Sequence, residues 1–482
     1  MLFNSIEFAV FLPIIFVLYW FVTNKNLKMQ NLLLIVASLV FYGWWDWRFL
    51  ILIVLSTIVD FYVGIGLSKT DTIQKRKALL LISIVINLGF LWFFKYYNFF
   101  IESFVDAYKF FGHDIEPSRL HIILPVGISF YTFQTMSYSI DVYRRKIIPT
   151  KNFIPFFAFV VFFPQLVAGP IERAKNLLPQ FYNKRYFEYD IAIQGISQII
   201  WGLFKKVVIA DSAAIIVNQI FDNYIDYTGS TLLIGGVLFA FQIYGDFSGY
   251  SDIAVGTAKL FGIELKRNFA NPYFSRDIAE FWRRWHISLT SWFKDYVYIP
   301  LGGSRGNTWS VVRNTFAIFL ISGFWHGANW TYIVWGLYHS ILFLPLVLTK
   351  KNTSHIDIIS EKKRIPNLKE FVQIITTFIL VVLGWIIFRA ENIKMVIAYF
   401  SKIFSESLVT KPYVYGVGKI NVILLFLFIF LMISLEWFSR PKEIPIFFEK
   451  QKKWIQWFIL YIFVLFIFLF GEKQQDFIYF QF

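Results

Sequence analysis

The chain has 482 residues, of which 57% are hydrophobic and 16% charged, with a net charge of +15 and no cysteine. A soluble domain carries about 25% charged residues, so this balance excludes that class and points to an all-α polytopic membrane protein. The missing cysteines exclude disulfides, thiolate-bound zinc and a thiol nucleophile.

Apolar runs occur at residues 6–23, 31–46, 49–67, 79–97, 122–142, 153–170, 194–220, 230–262, 311–349, 370–388, 419–438 and 453–471. A crossing needs about 20 apolar residues, so these runs predict roughly 11–13 membrane segments, some of them re-entrant or broken. The first run follows no positive segment and precedes no small-residue cleavage site, so it is expected to be a retained span rather than a signal peptide. Its flank carries Lys25 and Lys28. Lys69, Lys75, Arg76 and Lys77 form the next basic loop, and Arg144, Arg145, Lys146 and Lys151 a third. Between them, 95–121 has Lys95, Lys109 and Arg119 against Glu102, Asp106, Asp114 and Glu116. The first three loops read as cytoplasmic and the last as external. That parity requires an external N-terminus and a hairpin near Asp46 and Arg48. Because the basic residues fall in topology-setting loops, with no basic helix interleaved with aromatics, no nucleic-acid partner is expected. No linker or internal repeat divides 1–482, which reads as a single domain.

Asp246-Phe247-Ser248-Gly249-Tyr250-Ser251-Asp252 is polar punctuation within an apolar run, read as a helix break near a site or a simple turn. Further on, Asp277 and Glu280 look like a capping pair that opens a helix. That helix would carry Trp282, Trp285, His286, Leu289, Trp292 and Phe293 on one buried face, with Glu280 able to pair with Arg283 or Arg284. His286 is then a functional candidate on an amphipathic helix at the cytoplasmic side. The plain alternative is a packed core histidine. The glycine-rich, basic loop at Gly302, Gly303 and Arg305 is a candidate phosphate cradle for an acyl carrier, against the alternative of a turn.

From Thr315 to Thr349 the chain has no Asp, Glu, Lys or Arg. As one helix this run would be about 52 Å long, beyond the hydrocarbon thickness, so it must break. His326 sits where Gly323 and Gly327 permit a break or a close helix contact. An ionisable ring at membrane depth is a functional candidate by default. Neutral imidazole can accept a hydroxyl proton as a general base, the step needed when an alcohol attacks a thioester. Trp325, Asn329 and Trp330 are candidate donors toward a developing oxyanion, with Trp325 and Asn329 the candidate substrate-binding residues. Ser322, four residues before His326, could form a nucleophile pair with it, although no acidic orienter is evident. His339, in the same run, reads as structural. No His/Asp/Glu cluster has metal-ligand spacing, so no metal is expected.

Five stretches carry a family resemblance: Pro125 to Gln134, Phe163 to Ile171, Asp246 to Asp252, residues 271–306 and Gly323 to Gly327. Through them the chain resembles the membrane-bound O-acyltransferases, and most of all the bacterial branch that O-acetylates alginate or peptidoglycan. The resemblance implies a family core at 125–345 around a central funnel. It implies that His326 matches the essential histidine and His286 the second one. It also implies acetyl-CoA as the donor, with no permanently bound cofactor, at a bacterial inner membrane. A periplasmic SGNH-type partner would then place the acetyl group on a polysaccharide hydroxyl. The same family includes the D-alanyl exporters of teichoic acid modification. Outside the family, a transporter or flippase of an acylated carrier remains the alternative.

Overall fold

The computed structural model describes residues 1–113, 120–357, 359, 365–440, 442, 452–471, 475 and 477–478. Asp114, Glu116 and Arg119, three of the charges weighed for topology, lie outside these residues. All regular structure among the described residues is helical. Seven helical stretches are long and apolar enough to cross a membrane: Leu27–Ser68, Ile73–Phe110, Gly229–Leu260, Trp330–Leu348, Leu368–Arg389, Lys419–Phe438 and Lys453–Phe470. The chain is an all-α, multi-pass membrane protein.

Several of the expected runs are broken rather than long. Leu27–Ser68 is interrupted at Asp46, which adopts an extended backbone and caps the Arg48 N–H with its own carboxylate. Ile73–Phe110 contains a wide turn over Trp92–Tyr96. The run at 153–170 breaks at Phe162 between Phe163–Leu166 and a nine-residue helix, Phe153–Val161. Gln134 and Gln165 both donate to the Phe159 carbonyl near that break, at 2.8 Å each. Two of the stretches that carry the family resemblance thus satisfy one buried backbone acceptor.

The chain packs as two compact units, residues 1–192 with 257–266, and 193–256 with 267–482. In the first unit, buried Asp60 accepts from Ser83 at 2.5 Å and Asn87 at 2.7 Å, and from Ser139. These side chains join the helices Leu50–Ser68, Ile73–Leu91 and Ile128–Tyr143, a polar glue between apolar helices. Arg76, counted above as a loop charge, is buried instead and donates to the Tyr143 carbonyl at 2.8 Å. It closes helix ends that would otherwise keep orphan carbonyls.

In the second unit, the Asp246 to Asp252 stretch is neither a break nor a turn. It lies inside the continuous 32-residue helix Gly229–Leu260. Its acidic residues face two buried lysines on the wide helical turn Phe204–Asp211. Lys205 Nζ lies 2.5 Å from Asp252, and Lys206 Nζ lies 2.6 Å from Asp246 and 2.8 Å from Asp211. Charges matched this way need no helix end to reach water, so the helix runs on through them.

Candidate active site

The uncharged run breaks as its length requires. Helices Thr308–His326 and Trp330–Leu348, 19 residues each, are joined by an extended Gly327 and a cap at Asn329. Each is about 28 Å long, close to the hydrocarbon thickness. A Cβ on Gly323 would lie 2.3 Å from the Tyr332 carbonyl oxygen, and one on Gly327 would lie 2.1 Å from the Tyr332 ring. Both glycines are needed for close approach of the two arms. The hairpin leaves His326 as the last residue of its first helix, 6% exposed. Its ring lies against Trp325, Trp335 and Phe388 at centroid distances of 4.9, 5.2 and 5.4 Å.

His286 is placed differently from expectation. Asp277 does cap a helix, accepting from the Glu280 N–H at 2.7 Å. That helix, Ile278–Arg284, ends after seven residues, and Ile287–Phe293 starts afresh. Between them Trp285 is extended and His286 is left-handed, with φ 45° and ψ 55°. The physical cause lies upstream. In a continuous helix the Arg284 carbonyl would accept from the Ser288 N–H. Here it accepts from Ala270 N–H at 2.9 Å, while Ser288 N–H turns to the Asn268 side chain at 3.1 Å. Ile287 N–H goes to the Asn268 carbonyl at 2.8 Å. The neighbouring segment thus supplies three of the hydrogen bonds that the break gives up. Glu280 pairs with Arg284 at 2.7 Å, as the spacing allowed, and also with Arg276 at 3.0 Å. Arg283 donates instead to the carbonyls of Asn352 and His355.

Despite the break, both histidines line one cavity of about 260 Å³. Trp282, Trp285, Leu289, Phe293, Ile318 and Phe319 make it largely apolar, and Ser322 and Thr315 add hydroxyls from the first arm of the hairpin. Trp325 packs against both imidazoles, its ring 6.3 Å from that of His286 and 4.9 Å from that of His326, but it is not among the residues that line the cavity. The His286 ring is also held edge-on by Phe247 at 4.6 Å. Burial pushes the His286 imidazole down to about 3, so it is neutral near pH 7. The neutral ring is the form that can accept a proton.

The remaining candidates divide. Ser322 shares the cavity with His326, and the residues lining it include no carboxylate. Trp325 lies beside both rings. Asn329 does not reach the cavity; its side chain caps Thr331 N–H at 3.0 Å and donates to the Glu391 carbonyl at 2.7 Å. Trp330 is exposed. His339 packs between Trp282 and Trp335, 4.9 Å from each. Gly302, Gly303 and Arg305 form a tight turn outside the cavity, with φ of 108° and 58° at the glycines and Arg305 N–H on the Gly302 carbonyl at 3.1 Å. The turn follows Tyr298, which does line the cavity. The cations that reach it are Arg283, half-buried, and Lys294, exposed. Sequence reasoning offered Arg283 only as a partner of Glu280 and gave Lys294 no role.

Two buried imidazoles thus face one apolar cavity that Arg283 and Lys294 also reach. The profile of the membrane-bound O-acyltransferase family matches residues 144–388, a span containing both histidines. The chain is 41% identical over 409 residues to the "Probable alginate O-acetylase AlgI" of Pseudomonas aeruginosa, covering 84% of this chain and 75% of that protein. It is 36% identical over 423 residues to a "Peptidoglycan O-acetyltransferase" of Helicobacter pylori, covering 82% and 78%. A "Teichoic acid D-alanyltransferase" of Streptococcus thermophilus is 28% identical over 310 residues, covering 58% and 72%. The chain belongs to the membrane-bound O-acyltransferase family and is an O-acyltransferase.

Proposed function

We propose that the protein transfers acetyl groups from cytoplasmic acetyl-CoA for O-acetylation of a polysaccharide, with His326 and His286 at the reacting centre. The observation that carries this reading is the sharing of one cavity by two imidazoles from separate elements. The relatives named as alginate and peptidoglycan O-acetylating proteins support a sugar hydroxyl as the final acceptor. Arg283 and Lys294 suit the phosphates of the donor, in place of the loop at Arg305. The apolar cavity suits the acetyl thioester. His326 accepts the proton of the attacking hydroxyl, the oxygen bonds to the thioester carbon, the C–S bond breaks, and the proton passes to the departing thiolate to give free CoA. His286 serves the donor side, and Trp325 holds the two rings from behind.

In this reading the chain lies in a bacterial inner membrane with its N-terminus outside. The acetyl group leaves on the far side, where a periplasmic SGNH-type partner delivers it to the polymer. The test is reconstitution in vesicles with that partner, a polysaccharide acceptor and labelled acetyl-CoA. Release of one free CoA per acetyl group on the polymer supports the proposal. Transport of label without CoA release would support a flippase instead, and activity restricted to a carrier-protein thioester would favour D-alanyl transfer.

A further inference from the structure

We infer that Asn268 is a positioning residue that fixes the tautomer of His286, placing the ring proton on Nδ1 and leaving Nε2 as the ring's accepting nitrogen. The first observation is that the Asn268 Oδ1 accepts from the backbone N–H of Ser288 at 3.1 Å and from the Ser288 hydroxyl at 2.9 Å. A backbone N–H can only donate. The amide orientation is therefore set: turning it over would aim the Asn268 NH₂ group at another donor. The second is that the same oxygen lies 3.1 Å from His286 Nδ1. An oxygen that is purely an acceptor pairs only with a protonated ring nitrogen, so Nδ1 carries the hydrogen.

Asn268 and His286 are each 1% exposed, so water does not compete for this contact. With the ring held neutral by burial, only one nitrogen carries a proton. The choice between them decides whether His286 offers the cavity a lone pair or an N–H. The geometry also accounts for the left-handed backbone at His286, a strained conformation for a non-glycine residue. That conformation lets Asn268 engage residues 286, 287 and 288 at once. A purely structural clamp needs the Ser288 and Ile287 bonds; the bond to Nδ1 adds chemical definition to the ring.

The role of His286 in turnover rests on the acyl-transfer reading, but its tautomer does not, and the experiment separates them. The chain has six histidines. Selective ¹⁵N-histidine labelling of the full-length protein in detergent or nanodiscs therefore gives a countable set of ring signals, and His286→Gln assigns the relevant pair. The expected result at pH 7 is a pyrrole-type Nδ1 and a pyridine-type Nε2. The reverse pattern, or a doubly protonated ring, overturns the inference whatever the enzyme's activity. In kinetics, Asn268→Leu lowers kcat by about 100-fold, the low end of what a positioned proton-handling side chain supplies, with little change in KM. Asn268→Asp, whose carboxylate can accept from the same donors, recovers most of that loss. A folded Asn268→Leu protein whose His286 ring keeps the Nδ1–H pattern also overturns it, whereas equal activity with an altered pattern counts against the acyl-transfer role of His286 and not against the tautomer. Should Asn268→Leu fail to fold, the wild-type spectrum still decides.

Discussion

Replacing His326 by glutamine probes the cavity with least disturbance. The ring is 6% exposed and touches three aromatic rings within 5.4 Å. Alanine would leave a hole there, at a cost of about 3 kcal/mol for deleting a buried aromatic, and lost activity could then be lost fold. Glutamine fills much of the same space, retains hydrogen bonding and cannot act as a base near pH 7. A general base contributes about 10²–10⁴-fold, or roughly 3–5 kcal/mol of transition-state stabilisation. His326→Gln should therefore lose that much kcat, keep KM for acetyl-CoA close to wild type and keep its melting temperature. Free CoA can be followed continuously with a thiol-reactive chromophore, since the chain contributes no cysteine background. A folded variant that retains a third or more of wild-type kcat would show that His326 is packing and not base.

Arg283→Ala and Lys294→Ala should each raise KM for the donor by about tenfold, the effect of losing one charge-assisted contact, and most visibly at low salt. A KM that ignores salt and both variants would move the donor site elsewhere. Gly323→Val places atoms where a Cβ already lies 2.3 Å from a carbonyl oxygen; the hairpin must open, with a loss of about 2 kcal/mol or more in thermal stability, read by a melting scan. Lys206→Met leaves Asp211 and Asp246 buried without their cation, at about 3–5 kcal/mol. Adding Asp211→Leu and Asp246→Leu should restore part of the melting temperature, and no loss in the single variant would argue against a buried pair. His286 also makes a pH prediction. Its folded-state value lies below the unfolded one, so the unfolded chain binds the extra proton as pH falls through 6.5 toward 3. Stability should be complete above about pH 6.5 and fall by about 1.4 kcal/mol for each pH unit below it. Comparing the acid limb of the melting temperature in wild type and His286→Phe checks this, and identical slopes would refute it.

Much of the fold is legible in the residues themselves. The uncharged 35 residues from Thr315 to Thr349 must turn, and the two glycines flanking His326 mark where the arms meet; the hairpin follows from length and steric need alone. The Asp277 cap is equally local. What escaped is what depends on distant partners. The break at His286 is invisible in 277–293, whose spacing suits one helix, because the partners that make the break possible, the acceptors of Asn268 and the N–H of Ala270, come from a distant segment. The acidic pair at Asp246 and Asp252 reads as punctuation until the lysines at 205 and 206 are set opposite. Arg76 looks like a topology charge until the carbonyl of Tyr143 is beside it. The turn at Gly302 and Gly303 is locally evident, but its place outside the lining of the histidine cavity is not. His326 stands out in the sequence because an ionisable ring inside a long uncharged run is costly to keep at membrane depth.

The most direct measurement is a structure of the protein with a non-hydrolysable acetyl-CoA analogue, its thioester sulfur replaced by a methylene group. The account predicts the acetyl carbonyl inside the cavity between His286 and His326, beside Trp325, with the phosphates toward Arg283 and Lys294. An analogue bound with its acetyl group outside that cavity, and both imidazoles beyond reach of its carbonyl carbon even through one water, would contradict it.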